Sequence, residues 1–238
     1  RAGEATYRLD PVFLCYRSAA QVRGEAWPEE APPRTEPAGP PTFASFNVMS
    51  KMNEPLADAW AAVLHAVPGS RLLLKSRSLG APSLRARISS WFAARGVASD
   101  RLELVDYLPS HADHLALYGR VDVALDPFPY NGTTTTCEAL MMGVPVVTVA
   151  GGTHAARVGA SLLHAVGAPE LVAADEDAFV SLALALAGDA GRLAGYRRGL
   201  RDRVLASVLC DEPGFVARFA ACVRRAYEGA VGNAPGHP

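Results

Sequence analysis

At 238 residues, half of them apolar and a fifth charged, the chain has the length and composition of one good core or two small ones. A formal net charge of −1 supplies no basic field, which argues against nucleic acid as a partner, and no apolar run has the length of a membrane span. Cys15, Cys137, Cys210 and Cys222 lack the paired spacing of a zinc site or a redox motif, so free thiols in a reducing cytoplasm are expected. The opening is no signal peptide and starts with Arg, so a piece of a longer protein is expected.

In chain order, residues 1–41 read as a tail and connector. Residues 7–16 have the apolar content for one strand, and 24–41 are crowded with Pro, Glu and Gly, as linkers are. From 42 onward strands and helices alternate: strand 42–46, helix 55–67 with Pro55 at its start, strand 71–75, helix 84–95 ended by Gly96, strand 102–105. A helix over 110–119 follows, with Ser110 as its cap, then strands 123–126 and 144–149 on either side of a threonine-led helix ended by Gly143. Helix 155–166 ended by Gly167, a short strand 170–173 and helices 176–187, 190–206 and 213–228 complete the body, with 229–238 as a flexible tail. His65 and His164 are expected to pack on apolar helix faces, and Cys137 to be a packed thiol. Alternation of this kind implies an α/β fold: a doubly wound, Rossmann-like parallel sheet with helices on both faces and extra helices at the C-terminus.

On such sheets ligands bind beyond the carboxyl ends of the strands. Lys51, Lys75, 108–114, 126–138 and 151–157 all follow strands and are expected to gather on one rim. The richest stretch is Asp126-Pro-Phe-Pro-Tyr-Asn-Gly-Thr-Thr-Thr-Thr-Cys-Glu138. Two prolines and Asn131-Gly132 stiffen the loop, and the threonines then open a helix. A helix start offers unpaired N–H groups and partial positive charge, and threonine hydroxyls add to a phosphate seat. Glu138, four residues past Thr134, shares its face and suits a ribose diol. The tract also fits a capped surface helix with a polar start.

Other features are weaker. Arg outnumbers Lys 21 to 2, which singles out Lys51 and Lys75; Lys75 fits either a phosphate or sugar contact or an exposed strand-end charge. His111 and His114 stand at i, i+3, but no third ligand is spaced to complete a metal site. Gly151-Gly-Thr-His154 is a candidate second anion seat. Neither the dinucleotide glycine pattern nor the P-loop pattern occurs, which weighs against oxidoreductase and NTPase readings.

The 126–148 segment as a whole, Asp-Pro-Phe-Pro-Tyr-Asn-Gly-Thr-Thr-Thr-Thr-Cys-Glu-Ala-Leu-Met-Met-Gly-Val-Pro-Val-Val-Thr, resembles the donor-site signature of the protein O-GlcNAc transferase and SPINDLY family. Ser45-Phe-Asn-Val-Met-Ser-Lys51, Val67-Pro-Gly-Ser-Arg-Leu-Leu-Leu-Lys75 and Ala155-Ala-Arg-Val-Gly-Ala-Ser161 fall in the family's order, and the likeness spans roughly residues 7–227. The resemblance implies the C-terminal lobe of a two-lobed GT-B glycosyltransferase over 42–228, with residues 1–41 as the end of a first lobe plus linker. It implies that Lys51 contacts the donor diphosphate and supports the leaving group, and that Thr133, Thr134 and Thr135 bind phosphate. His114 matches the family histidine at the nucleotide, with His111 beside it; Leu108, Pro109 and Ser110 match the loop that reads the base, and Glu138 the acidic ribose ligand. Leu117 stands where the animal enzyme has an arginine near the base, and Thr133 where it has a histidine. Thr133 and His154 are SPINDLY-like, and Arg157 is more like the O-GlcNAc branch.

The implied activity is inverting transfer of a sugar to Ser or Thr of proteins, with no metal and no cofactor beyond the substrate nucleotide sugar. UDP-GlcNAc is the expected donor, with GDP-fucose as the alternative and a non-catalytic nucleotide-sugar-binding module as the reading outside enzymology. The family's first lobe, with its acid–base histidine, and its TPR repeats would lie outside this chain. Alone, the chain is then expected to bind nucleotide and transfer little sugar.

Overall fold

The computed structural model describes residues 7–17, 22 and 39–232. Their strands form one parallel sheet: β1 (Thr42–Ser45), β2 (Arg71–Lys75), β3 (Leu102–Val105), β4 (Val123–Leu125), β5 (Val146–Val149) and β6 (Val172–Ala173). The order across the sheet is β3-β2-β1-β4-β5-β6, with every pairing parallel. The central strands are apolar on both faces because helices cover both. Leu72, Leu73 and Leu74 of β2 are all fully buried.

The helices are α1 (Glu54–Ala66), α2 (Pro82–Ala94), α3 (His111–Ala116), α4 (Thr134–Met141), α5 (Val158–Ala165), α6 (Glu176–Ala187), α7 (Ala190–Leu205) and α8 (Glu212–Gly232). Their starts follow from local chemistry. Asn53 caps α1 by accepting from Leu56 N at 2.9 Å, with Pro55 in the first turn, where its missing N–H leaves nothing unpaired. Asp175 caps α6 and Asp189 caps α7 in the same way, each at 2.8 Å. α1 buries Leu56, Trp60, Val63 and Leu64 and packs against α6, while α4 packs against α7. At the end of α4, Gly143 adopts φ +72°, and a side chain there would meet the backbone of Arg197.

Sequence and structure differ in several places. Residues 7–16 form no strand; Tyr16 N instead donates to Leu209 O between α7 and α8, and Pro11 removes a donor that a ladder would need. The helix expected over 110–119 is α3 followed by a 3-10 turn, Leu117–Arg120, which tightens the chain into β4. Likewise a 3-10 turn, Pro169–Leu171, replaces the first part of the strand expected over 170–173. His65 and His164 are not packed: both are exposed, their rings bonded to Arg95 O at 2.7 Å and Ala160 O at 2.8 Å. Each stands one position past the buried stripe of its helix, after Leu64 and Leu163. Cys137, by contrast, is fully buried, and burial pushes its thiol far above the ordinary range. α8 runs to Gly232, four residues beyond the expected end; the linker at 24–38 and the tail at 233–238 lie outside the described residues. Among the described residues no single helix is long and apolar enough to cross a membrane.

Candidate functional site

Chain order reverses between β1 and β4, the position where α/β sheets open a crevice beyond their carboxyl ends. The loop leaving β4 crosses this point. Asp126, the first residue after the strand, is 2% exposed. Its Oδ1 accepts the Gly132 N–H at 2.6 Å, and its Oδ2 accepts the Thr148 hydroxyl from β5 at 2.7 Å. Burial pushes the Asp126 carboxyl up to about 7, against the downward pull of the Thr148 and Gly132 bonds and of the Lys51 charge. A Cβ on Gly132 would stand 2.9 Å from Asp126 Oδ1 and 2.8 Å from Thr135 Oγ1, so only glycine lets the chain fold this tightly onto the start of α4. Asn131 is fully buried and locks the loop from the other side. It donates to Pro127 O at 3.0 Å, and its Oδ1 accepts Gly159 N of α5 at 3.2 Å.

The threonines open α4 from this fixed point. Thr133 occupies the cap position without a capping bond from its side chain, Thr134 is exposed, and Thr133 and Thr135 are half-buried. First-turn N–H groups and three hydroxyls therefore lie at one helix tip. Lys51 reaches the same point from the 3-10 turn after β1. Its Nζ donates to Asn131 O at 2.8 Å and to Asn47 Oδ1 at 2.9 Å, and stands 4.5 Å over the Tyr130 ring. Asn47 Oδ1 also accepts the Thr135 hydroxyl at 3.2 Å, so one amide oxygen joins the lysine to the helix tip. Burial pulls the Lys51 ammonium below its ordinary range, and the Asp126 charge partly restores it.

Deeper in the crevice, Ser110 caps α3 by accepting Asp113 N at 3.3 Å, which sets His114 facing α4. His114 Nε2 and Glu138 Oε2 are 3.0 Å apart, and both side chains are buried. Phe46 and Tyr118 flank the imidazole, with ring centroids at 5.6 and 5.7 Å, and His111 lies at 5.8 Å. His114 Nδ1 is buried without a partner among the described residues. Lys75, half-buried, has its ammonium pulled down by burial and held up by Glu138. It therefore belongs to the field of this carboxylate.

The structure thus joins Lys51 and Thr135 in one cluster and His114 and Glu138 in a second, with α4 carrying a member of each and, among the described residues, Lys75 bonded to neither. Leu108 is half-buried and Pro109 exposed in the loop between β3 and α3. His154 and Arg157 are exposed on the β5–α5 loop; the His154 ring meets Phe13 edge-on at 4.8 Å, and Arg157 reaches Gly151 O at 3.4 Å. Among the described residues neither is bonded to the Lys51 cluster. Sequence reasoning placed 126–138 on the rim but gave no ligand role to Asp126, Tyr130 or Asn131, nor to Asn47 and Tyr118. The signal for Asn47 and Asp126 was positional, since each stands at or just past the carboxyl end of a strand.

Comparison with known proteins agrees on one family. The sequence profile of glycosyl transferase family 41 matches residues 36–218. A Petunia hybrida protein named as a probable UDP-N-acetylglucosamine–peptide N-acetylglucosaminyltransferase SPINDLY is 41% identical over 93% of this chain and 23% of its own length. A Caenorhabditis elegans UDP-N-acetylglucosamine–peptide N-acetylglucosaminyltransferase is 34% identical over 71% of this chain and 14% of its own. A solved structure of a Thermobaculum terrenum O-GlcNAc transferase mutant superposes with a TM-score of 0.77 at 38% identity, covering 88% of this chain and 40% of that one. The chain spans about a quarter of the length of the SPINDLY relatives. At 16% identity and TM-score 0.55, an Anabaena protein solved with UDP and glucose shares the fold.

Proposed function

The chain belongs to glycosyl transferase family 41, and we propose from that premise that it is the donor-binding half of a cytoplasmic enzyme moving GlcNAc from UDP-GlcNAc to Ser or Thr hydroxyls of proteins, with inversion. The observation that carries this reading is the meeting of Lys51 with the threonine tip of α4 through Asn47 and the Asn131 carbonyl. A diphosphate resting there accepts hydrogen bonds from first-turn amides and from the Thr133, Thr134 and Thr135 hydroxyls, and faces an ammonium group. One turn deeper, Glu138 accepts a ribose hydroxyl, with His114 held against it beside the nucleoside. The loop at Leu108, Pro109 and Ser110, with His111, borders the base; Lys75, His154 and Arg157 surround the donor more loosely.

In the reaction the acceptor oxygen attacks the anomeric carbon while the bond from that carbon to the diphosphate oxygen breaks. The acceptor proton goes to a base outside this chain, in the first lobe. Negative charge grows on the diphosphate, and Lys51 together with the helix tip stabilises it where it develops. No enzyme nucleophile is required, which is consistent with Cys137 being buried and protonated.

The second reading, GDP-fucose as donor, is favoured by Thr133 and His154, which match the SPINDLY branch. Calorimetric titration of the chain with UDP and with GDP separates the two: tighter UDP binding is expected, and tighter GDP binding would reassign the donor. The chain alone is expected to bind nucleotide but not glycosylate a peptide, because the first lobe and the TPR repeats that hold protein acceptors lie outside it. Robust transfer by the isolated chain would overturn that division of labour. Binding without transfer even in the full-length protein would make this a nucleotide-sugar-binding module instead.

A further inference from the structure

We propose that Asp126 is a positioning residue of the anion seat, fixing the Gly132 amide at the mouth of α4 and giving Lys51 a buried counter-charge. This rests on the donor-site reading above and adds a residue that the family signature leaves without a role. Asp126 joins four segments. It follows directly on β4, accepts the Thr148 hydroxyl of β5 and the Gly132 amide, and lies under Gly159 of α5, where an added Cβ would come within 2.6 Å of Oδ2. Lys51 is the charged group that bears on it; Thr148, Gly132 and Gly159 present no charge.

A carboxylate is a costly way to meet these shape demands. Asparagine has the same outline and could accept from Gly132 without burying a charge. What it cannot do is hold a half-buried lysine protonated. Burial lowers the Lys51 ammonium, and Asp126 is the neighbour that raises it. The carboxylate therefore has two tasks that separate experimentally: a hydrogen bond that sets where the loop ends and α4 begins, and a charge that keeps Lys51 cationic.

The test uses the full-length protein, with UDP-GlcNAc as the probe. Asp126→Asn keeps the bond and loses the charge. Its UDP-GlcNAc Kd at pH 7 is expected to stay within about threefold of wild type, while the alkaline limb of kcat/KM moves about 1 pH unit lower, as removal of a nearby opposite charge does. Asp126→Ala loses the bond as well, and its Kd is expected to rise about tenfold or more. A purely structural role would lower the melting temperature of both variants and leave the limb where it was. An unmoved limb in Asp126→Asn, or wild-type affinity in a folded Asp126→Ala, overturns the assignment; should the alanine variant not fold, the asparagine profile decides alone. Wild-type protein that binds neither UDP-GlcNAc nor GDP-fucose would instead overturn the donor-site reading beneath it.

Discussion

Arg197 and Asp126 are buried at opposite ends of the sheet, and they are buried differently. Arg197 of α7 is 6% exposed; its guanidinium donates to Met142 O at 2.9 Å and Tyr118 O at 3.4 Å, and also to Val121 O. These carbonyls belong to the turns that enter β4 and leave α4, at the amino ends of the strands. The fork ties α7 across them, and Gly143 makes room for its backbone. Asp126, at the carboxyl end, spends its oxygens on a hydroxyl and on an amide at the tip of a helix that faces solvent. A buried charge whose partners are turn carbonyls deep in the scaffold is mortar. A buried carboxyl whose partners open the candidate anion seat is a setting for a site. Burial alone does not tell the two apart, whereas following the hydrogen bonds one step outward does.

This contrast can be broken in several ways. Lys51→Ala, at the site end, should cost about 3–4 kcal/mol in the barrier, roughly 10²–10³ in kcat of the full-length protein, with the circular dichroism spectrum unchanged. Unchanged turnover would remove Lys51 from the mechanism. Arg197→Met, at the scaffold end, strands several carbonyls and should lower unfolding free energy by about 2–4 kcal/mol in denaturant, without altering the nucleotide Kd of the folded protein. Lost affinity at full stability would reverse the roles assigned to the two ends.

The pH dependence of stability sharpens the same comparison. Asp126 titrates near 7 when folded, against an ordinary 3.8. Between those values the unfolded chain has released this proton and the folded chain retains it. Raising pH across that window therefore favours unfolding, and the contribution is flat above about 7. Asp126→Asn should lack this fall, so the stability difference between wild type and variant should move in the variant's favour from pH 4 to 7 in urea titrations. A difference independent of pH would mean that the carboxyl ionises normally. Glu138→Ala should weaken nucleotide binding by about 1–3 kcal/mol, as loss of a charge-assisted bond does. An unaltered Kd would leave Glu138 as a partner for His114 and nothing more.

Much of the fold was legible in advance. The apolar run Leu72-Leu73-Leu74, Pro55 at a helix start and the glycines at 96, 143 and 167 bounded β2, α1 and the helix ends, because each acts within a few residues of itself. Residues 7–16 misled because an apolar run does not say whether a sheet edge is available to it. Lys51, the threonines, His114 and Glu138 stood out as candidates because their spacing on strand ends and a helix start suits an anion, and their roles are what the family resemblance implies.

The sequence by itself determined the alternation of strands and helices, the rim on which polar residues gather and the family to which the chain belongs, since these depend on periodicity, local caps and motif order. Only the tertiary structure decided that Asn47 bridges Lys51 and Thr135, that His114 faces Glu138 across 24 residues, and that Asp126 ties Gly132 to Thr148. Those contacts join residues on different strands and helices. Their distances follow from which strands lie side by side and how the helices pack over them, and no local rule of the chain contains that information.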